Sequence, residues 1–216
     1  MSHPTSAPAG QLCIWTDTDP HTEADFNAWY DREHMQERIA IPGFRHARRF
    51  LANDGSARRY LALYVTASLD VFRSDAYRQA FTVQTDWSMR NFERMSDTQR
   101  RVGALAFEAG AGEGGHAAIF VAPPHSVAAA AWHNEARAAT QTPGIHAVRV
   151  FVTDAALSAP LATRDGAAAT APQDALVIVE GSSNDAARQA AERLSKLASD
   201  SAAPVRSFDM LWRLAA

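Results

Sequence analysis

Cysteine is almost missing from this chain: Cys13 is the only one among 216 residues. No intrachain disulfide can form, and a cysteine metal cluster is excluded. That usage suits a reducing compartment. Long apolar runs are missing too. No window reaches the ~18 consecutive apolar residues of a membrane-spanning helix. Met1 to Gly10 has neither the charged start nor the apolar run of a secretory leader. The expectation is a cytoplasmic protein with no membrane partner. Surplus positive charge is also wanting. The formal net charge is −3, whereas a nucleic-acid surface needs clustered excess Lys and Arg, so no nucleic-acid partner is expected. Arg45, Arg48, Arg49, Arg58 and Arg59 form a local exception. They read either as a solvated strand edge and turn or as an anion site.

Familiar catalytic signatures are absent as well. There is no Gly-x-Ser-x-Gly for a serine nucleophile. No Gly-x-Gly-x-x-Gly follows a strand; Gly110 to Gly115 is a linker by position. His125 and His133 are two helical turns apart, too far to share an ion, and no other zinc-like spacing appears. No metal and no cofactor is expected on these grounds.

What is present is a sequence written twice. Ile41-Pro42-Gly43-Phe44-Arg45-His46-Ala47-Arg48-Arg49-Phe50 returns as Thr142-Pro143-Gly144-Ile145-His146-Ala147-Val148-Arg149-Val150-Phe151. A second echo pairs Arg90-Asn91-Phe92-Glu93 with Arg206-Ser207-Phe208-Asp209. The Pro-Gly pairs lie 101 residues apart and the second pair 116 apart, so the later copy is longer by 15. The Ala/Thr/Pro stretch from Asp154 to Asp174, too poor in large apolar residues to build core, absorbs the difference.

Each copy shows the same order of elements. In the first, Gln11–Thr16 alternates as a strand. Overlapping start signals at Asp19-Pro20 and Thr22 to Asp25 open a helix that Pro42-Gly43 ends near Ala40. Phe44–Leu51 and Tyr60–Thr66 form a hairpin about Asn53-Asp54-Gly55-Ser56. Ser68–Phe81 reads as a helix, Gln84–Arg90 as a short helical piece, and a fourth strand starts at Phe92. In the second copy, His116–Ala122, Ile145–Thr153, Ala175–Glu180 and Val205–Leu214 read as strands. Ser126–Thr140 and Asn184–Ala198 read as helices, the latter capped by Asn184 or Asp185. The division is residues 1–10 as a disordered N-terminus, 11–108 as a first ferredoxin-like repeat, 109–115 as a Gly-rich linker and 116–216 as a second repeat. The fold class is therefore α+β: two tandem ferredoxin-like βαββαβ repeats. A βαββαβ sheet leaves one face bare, and a second copy in the same chain can bury it.

The passage Phe26-Asn27-Ala28-Trp29-Tyr30-Asp31-Arg32-Glu33-His34, followed by Pro42-Gly43-Phe44 and Arg48-Arg49-Phe50, resembles the dimeric α+β barrel superfamily, in particular its EthD-like and muconolactone-isomerase-like branches. The resemblance implies a fused dimeric α+β barrel in one chain. It is sharp over Asp25 to Phe50 and otherwise rests on element order. Members include isomerases and lyases of small lactones, cofactor-free monooxygenases, haem-handling enzymes and binding or regulatory modules, so fold alone does not fix the reaction. Haem enters as a cofactor only through this resemblance.

Candidate site residues come from what the copies do not share. In the Pro-Gly register Trp29, Tyr30, Asp31, Glu33 and His34 stand opposite Ala130, Ala131, Trp132, Asn134 and Glu135. The polar load of the first copy is thus no requirement of the unit, unless it is mere divergence. Asp31 and His34, three apart, are neighbours on a helix. At roughly 100° per residue Asp31 falls within an apolar arc of Ala24, Ala28, Met35 and Ile39, with His34 at its edge. Phe26, Trp29, Tyr30 and Glu33 point the other way, for packing or for contact with a partner. A buried carboxylate needs His34 or Arg38 as partner, and a carboxylate beside imidazole suits acid–base work; a structural ion pair is the other reading. On the second strand Phe44, His46, Arg48 and Phe50 share one face, with Arg49 on the other, toward the helices. Arg49 there needs Asp31, Glu33 or a ligand carboxylate.

These readings combine into a pocket between helix and sheet. His34 moves a proton, Asp31 or Glu33 orients it, and Arg49 holds a carboxylate or an enolate. Tyr30, Trp29, Trp15 and Trp87 add apolar wall, with His46 as the barrel-side alternative. The expected function is a small-molecule isomerase, lyase or cofactor-free oxygenase acting on a small organic acid or aromatic-derived substrate, as a monomer or homodimer. The alternatives are a non-catalytic small-molecule or haem-binding module and a protein-assembly module.

Overall fold

The computed structural model describes residues 7–159, 172–199 and 204–216. Alternating apolar runs become eight strands: β1 (Gly10–Thr18), β2 (Phe44–Ala52), β3 (Tyr60–Thr66), β4 (Met95–Gly110), β5 (His116–Ala122), β6 (Ile145–Thr153), β7 (Ala175–Gly181) and β8 (Arg206–Ala215). They close into one antiparallel barrel in the order β1-β3-β2-β8-β5-β7-β6-β4. Starting from β4, the first four strands run 4-1-3-2, and the last four run 8-5-7-6, the same sequence raised by four. The long β4 pairs with β1 and then with β6, and β8 pairs with β5 and then with β2, so these two strands stitch the halves together and leave no free edge.

The helices lie outside: α1 (Glu23–Trp29), α2 (Met35–Ile39), α3 (Asp75–Thr82), α4 (Asp86–Arg94), α5 (Pro124–Val127), α6 (Ala130–Ala139), α7 (Ala155–Ser158) and α8 (Asn184–Ala198). Residues alternate between barrel interior and helix layer. Leu61, Leu63, Ile119, Phe151, Leu176, Ile178 and Phe208 fill the interior around Cys13. Each such side chain contributes about 1.5–3 kcal/mol by leaving water. The helix layer over the first half is aromatic (Phe26, Trp29, Tyr30, Phe44, Tyr64, Phe72, Tyr77). Over the second half it is mostly alanine and valine around Trp132 and Phe107.

Several boundaries differ from expectation. Phe92 does not open β4. Thr85 caps α4 by accepting from Ser88 N, and the helix runs on to Arg94. Gly10, expected in the N-terminal tail, begins β1, and β4 extends to Gly110, inside the expected linker. Gly110 sits at φ +76, and a Cβ there would meet His146 O at 2.1 Å, which is why glycine stands at that point. Ser183, not Asn184 or Asp185, caps α8 by accepting from Ala186 N. Phe44 does not share the barrel face with His46, Arg48 and Phe50. A bulge between Phe44 and His46 turns it into the helix layer, against Tyr64 and Tyr77. Residues 1–6 of the expected tail (1–10) and 160–171, most of the expected loop, lie outside the described residues.

Candidate functional site

The site begins with an irregular helix. Between α1 and α2 the backbone makes a π turn over Tyr30–His34, and Met35 N–H reaches back to Tyr30 O. One extra residue in the turn sets everything after it back by about 100°. His34 and Arg38 therefore join Phe26 and Tyr30 on the aromatic face, where a regular helix would have placed Glu33 and Glu37. The consequence is burial of His34 (6 % exposed) and Arg38 (2 %). Asp31, expected within the apolar arc, is turned out, half exposed.

His34 lies in an aromatic box. Its ring stacks obliquely on Trp29 at 4.2 Å, with Tyr30 at 5.2 Å and Phe92 at 5.7 Å edge-on. Trp29 is itself pinned: Nε1 donates to Ser88 Oγ at 3.0 Å, and Ser88 Oγ donates to Glu33 Oε1 at 3.2 Å. Beside the imidazole is a cavity of about 180 Å³. Polar groups reach it from Tyr30, His34, Arg38, Tyr64, Thr98 and Arg100. Leu12, Ile14, Phe81, Phe92 and Met95 complete the walls, with no carboxylate among them.

Among the described residues, two buried polar atoms of this lining have no partner, His34 Nδ1 and Arg38 Nη2; the Tyr64 phenol is coupled to that of Tyr30. Arg38 Nη1 donates to Ala80 O at 2.9 Å, and its guanidinium lies 4.4 Å from the centre of the Phe81 ring. Arg100 donates to Tyr77 Oη at 3.0 Å and to Leu157 O. Electrostatics follow from this arrangement. Burial, then the charges of Arg38 and Arg49, hold the His34 imidazole well below its usual range. Burial raises the Tyr64 phenol well above its own, and coupling to Tyr30 adds to that. The Tyr30 phenol is also raised by burial, against the pull of Arg49. At neutral pH the cavity thus holds a neutral imidazole, neutral phenols and two guanidinium ions. Such a lining favours an anion and can accept a proton at His34.

The other expected residues are distributed differently. Asp31 does not meet His34; its Oδ1 is 3.6 Å from Arg49 Nη1. Glu33 accepts from Thr85 Oγ1 at 2.6 Å and from Ser88, tying α4 to the π turn outside the cavity. Arg49 does point to the helix layer, 4.1 Å from the Tyr30 ring centre, but opens into a neighbouring cleft. Trp15 does not line the helix side. It lies in the barrel interior against Phe208, its Nε1 donating to Arg58 O. Trp87 is partly buried against the aromatic layer, outside the cavity lining, and donates to Asp25 Oδ1 of α1. His46 faces the barrel, as alternation required, with Nε2 2.8 Å from Glu113 Oε1. Sequence reading missed Tyr64, Arg100 and Thr98 as cavity groups. Alternation in β3 placed Tyr64 with Tyr60 on the helix side, a signal that was available; the other two depend on the register of β4.

The haem implied by resemblance does not fit here. A cavity of about 180 Å³ is below the ~300–1,000 Å³ of pockets for drug-sized ligands, and a porphyrin is larger than those. Among the described residues no group of three or more His, Cys, Asp or Glu is placed to hold a metal. Among them too, no helix is long and apolar enough to cross a membrane.

No protein-family model matches the sequence, and no curated protein matches it. Solved structures do. An anthrone oxidase-like protein is 11 % identical, with TM-score 0.61 over 98 % of this chain and 94 % of that one. A candidate monooxygenase from Lactobacillus acidophilus NCFM is 6 % identical, with TM-score 0.59 over 96 % of each chain. A mutant chlorite dismutase from Candidatus Nitrospira defluvii is 9 % identical, with TM-score 0.59 over 95 % of this chain and 92 % of that one. At such identities the likeness establishes the fold, and that fold is the dimeric α+β barrel closed within a single chain.

Proposed function

We propose that the chain is a small-molecule enzyme that works without a cofactor, taking a proton from an acidic C–H or O–H of a one- or two-ring aromatic-derived substrate. The observation that carries this reading is His34: neutral, buried, with Nδ1 unpartnered, beside a cavity whose only charges among the described residues are guanidinium ions. The imidazole accepts the proton, and Arg38 Nη2 stabilises the enolate or phenolate as it forms. Tyr30 and Tyr64 stay protonated and can donate to the same oxygen. The names of two structural neighbours, an anthrone oxidase-like protein and a candidate monooxygenase, favour oxidation of that anion by dioxygen. For a CH₂ beside a carbonyl the balance closes. The carbanion adds O₂ to give a peroxide, His34 returns its proton to the outer oxygen, and loss of water leaves a carbonyl at that carbon.

The test uses 2-indanone in deuterated buffer. Under nitrogen, wild-type protein is expected to exchange the acidic C–H for deuterium, and His34→Gln to lose exchange at an unchanged melting temperature. Admitting oxygen is expected to turn exchange into oxygen uptake. Exchange without uptake assigns the site to an isomerase or lyase. Equal exchange in the variant removes His34 from the chemistry.

We also infer that the two halves are copies of one unit. Support comes from the matching strand order and from burial once the π turn is counted. Downstream of the turn the Pro-Gly register sets buried Met35 and Arg38 against buried Ala136 and Ala139. Upstream the extra residue slips the register by one and sets buried Tyr30 against buried Trp132. On this reading residues 11–108 are the functional half, and the π turn is an insertion that equips it.

A further inference from the structure

The His34 cavity leaves a second opening unused. An open cleft of about 560 Å³ lies outside β2 and β8, beside the π turn. Its floor is a cross-strand pair, Arg49 and Trp212, directly opposite one another in the β2–β8 ladder. Opposed side chains of this kind start ~4.5–5.5 Å apart at Cβ, so their polar heads share one patch. Arg49 is 1 % exposed. Its Nη2 donates to Asn27 Oδ1 at 2.6 Å, whereas Nε has no partner. Trp212 Nε1 is likewise buried and unpartnered. Asp31 lies 3.6 Å from Nη1, beyond hydrogen-bonding distance, and is half exposed, so it offsets the guanidinium only loosely. Leu51, Leu211 and Tyr60 supply the walls.

We propose that this cleft is a second binding site, separate from the His34 cavity, for the carboxylate of a flat, ring-bearing organic acid. Arg49 Nε and Trp212 Nε1, unpartnered on directly opposed residues, are two donors, the number that one carboxylate satisfies. The ring lies against Leu51 and Leu211. A dianion such as phosphate is disfavoured, because the cleft offers one cation and already holds Asp31. The two sites communicate through Arg49. Its guanidinium packs on Tyr30, a wall of the His34 cavity, and its charge is one of those that keep His34 deprotonated. A carboxylate bound to Arg49 offsets that charge, so His34 reports occupancy of the cleft by titrating at higher pH.

The probe is 2-naphthoate, with 2-naphthamide as its neutral twin, followed by tryptophan fluorescence and by the His34 Cε1–H resonance. Naphthoate is expected to bind at least tenfold more tightly than the amide and to move the His34 titration upward. Leu211→Glu, at a wall position 45 % exposed, is expected to abolish binding without disturbing the fold. Trp212→Phe should weaken it, and Asp31→Asn should strengthen it. Equal affinity for acid and amide, or binding indifferent to Leu211→Glu, overturns the proposal. So does loss of binding in His34→Ala, which would put the probe in the inner cavity. None of these outcomes depends on turnover, so the cleft and the proposed chemistry stand or fall separately.

Discussion

Glu180 is the most exacting place to perturb the barrel. It is fully buried on β7 and accepts two bonds from Arg48 of β2, at 2.9 and 2.8 Å, and one from Arg149 at 3.1 Å. Arg48 is itself 2 % exposed, so the pair joins the two halves across the barrel interior away from water. In Glu180→Gln the shape is kept and the charge is lost, and the new amide NH₂ faces a guanidinium donor. Stranding one member of a buried pair costs about 3–5 kcal/mol. For a chain of this size that corresponds to a melting temperature lower by roughly 6–20 °C. Urea unfolding followed by circular dichroism at pH 7 measures it. The double variant Arg48→Met/Glu180→Leu removes both charges and fills the space with apolar atoms; it should be far more stable than the sum of the single changes, because Arg149 keeps Glu108 at 2.7 Å. A loss below about 1 kcal/mol in Glu180→Gln, or a double variant as unstable as that sum, would refute a dry ionic bridge between the halves.

Further expectations follow from the same contacts. Arg38→Gln removes a charge that depresses His34; the imidazole resonance should titrate closer to pH 6.5, and the acid limb of kcat/KM should rise with it, whereas in the wild type that limb lies well below 6.5. At Glu113 burial is outweighed by the adjacent His46 imidazole, the charge of Arg48 and the bond from Arg213, which hold the carboxyl at about 2 against an ordinary 4.5. Its contribution to stability is therefore complete above pH 4.5 and lost as pH falls toward 2, and Glu113→Gln should flatten the melting-temperature profile in that window. Burial pushes the Cys13 thiol up to about 12, so Ellman's reagent at pH 8 should find no reactive thiol until urea unfolds the chain.

The strands were largely legible because alternation is a local signal: Tyr60–Thr66, His116–Ala122 and Ile145–Thr153 begin and end where the pattern says. The site was legible only in part. In the Pro-Gly register Trp29 and Tyr30 stood out against Ala130 and Ala131, and His34 against Glu135; Tyr30 and His34 do line one cavity, with Trp29 stacked on His34. Their geometry did not follow, because a π turn has no sequence signature and a 3.6-residue wheel then assigns Asp31 and His34 to the wrong sides. The bulge at Phe44 misled in the same manner, since one extra residue inverts every face beyond it. Trp15 failed for another reason. Its strand was right, but the choice between barrel and helix face needed the closure of the sheet, which is a long-range fact.

The contrast between the two helix layers bears on why a cavity forms over the first half. Over the second half, Ala136, Ala139, Ala187, Ala190 and Ala191 are buried and small, so α6 and α8 approach the sheet closely and Val148, Val150, Val177 and Val179 fill the space. Over the first half, large rings meet edge to face, as Trp29 does with Tyr30 and with Phe92. Rings in that geometry cannot interdigitate as methyl groups do, and a gap remains where their edges diverge. The gap is lined by Arg38 and His34 where the other half has Ala139 and an exposed Glu135. Burying a guanidinium with a free Nη2 destabilises a fold. A half that only had to cover the sheet would keep alanine there, and the second half does. The unsatisfied groups of the first half are thus better explained by a ligand that completes them than by packing.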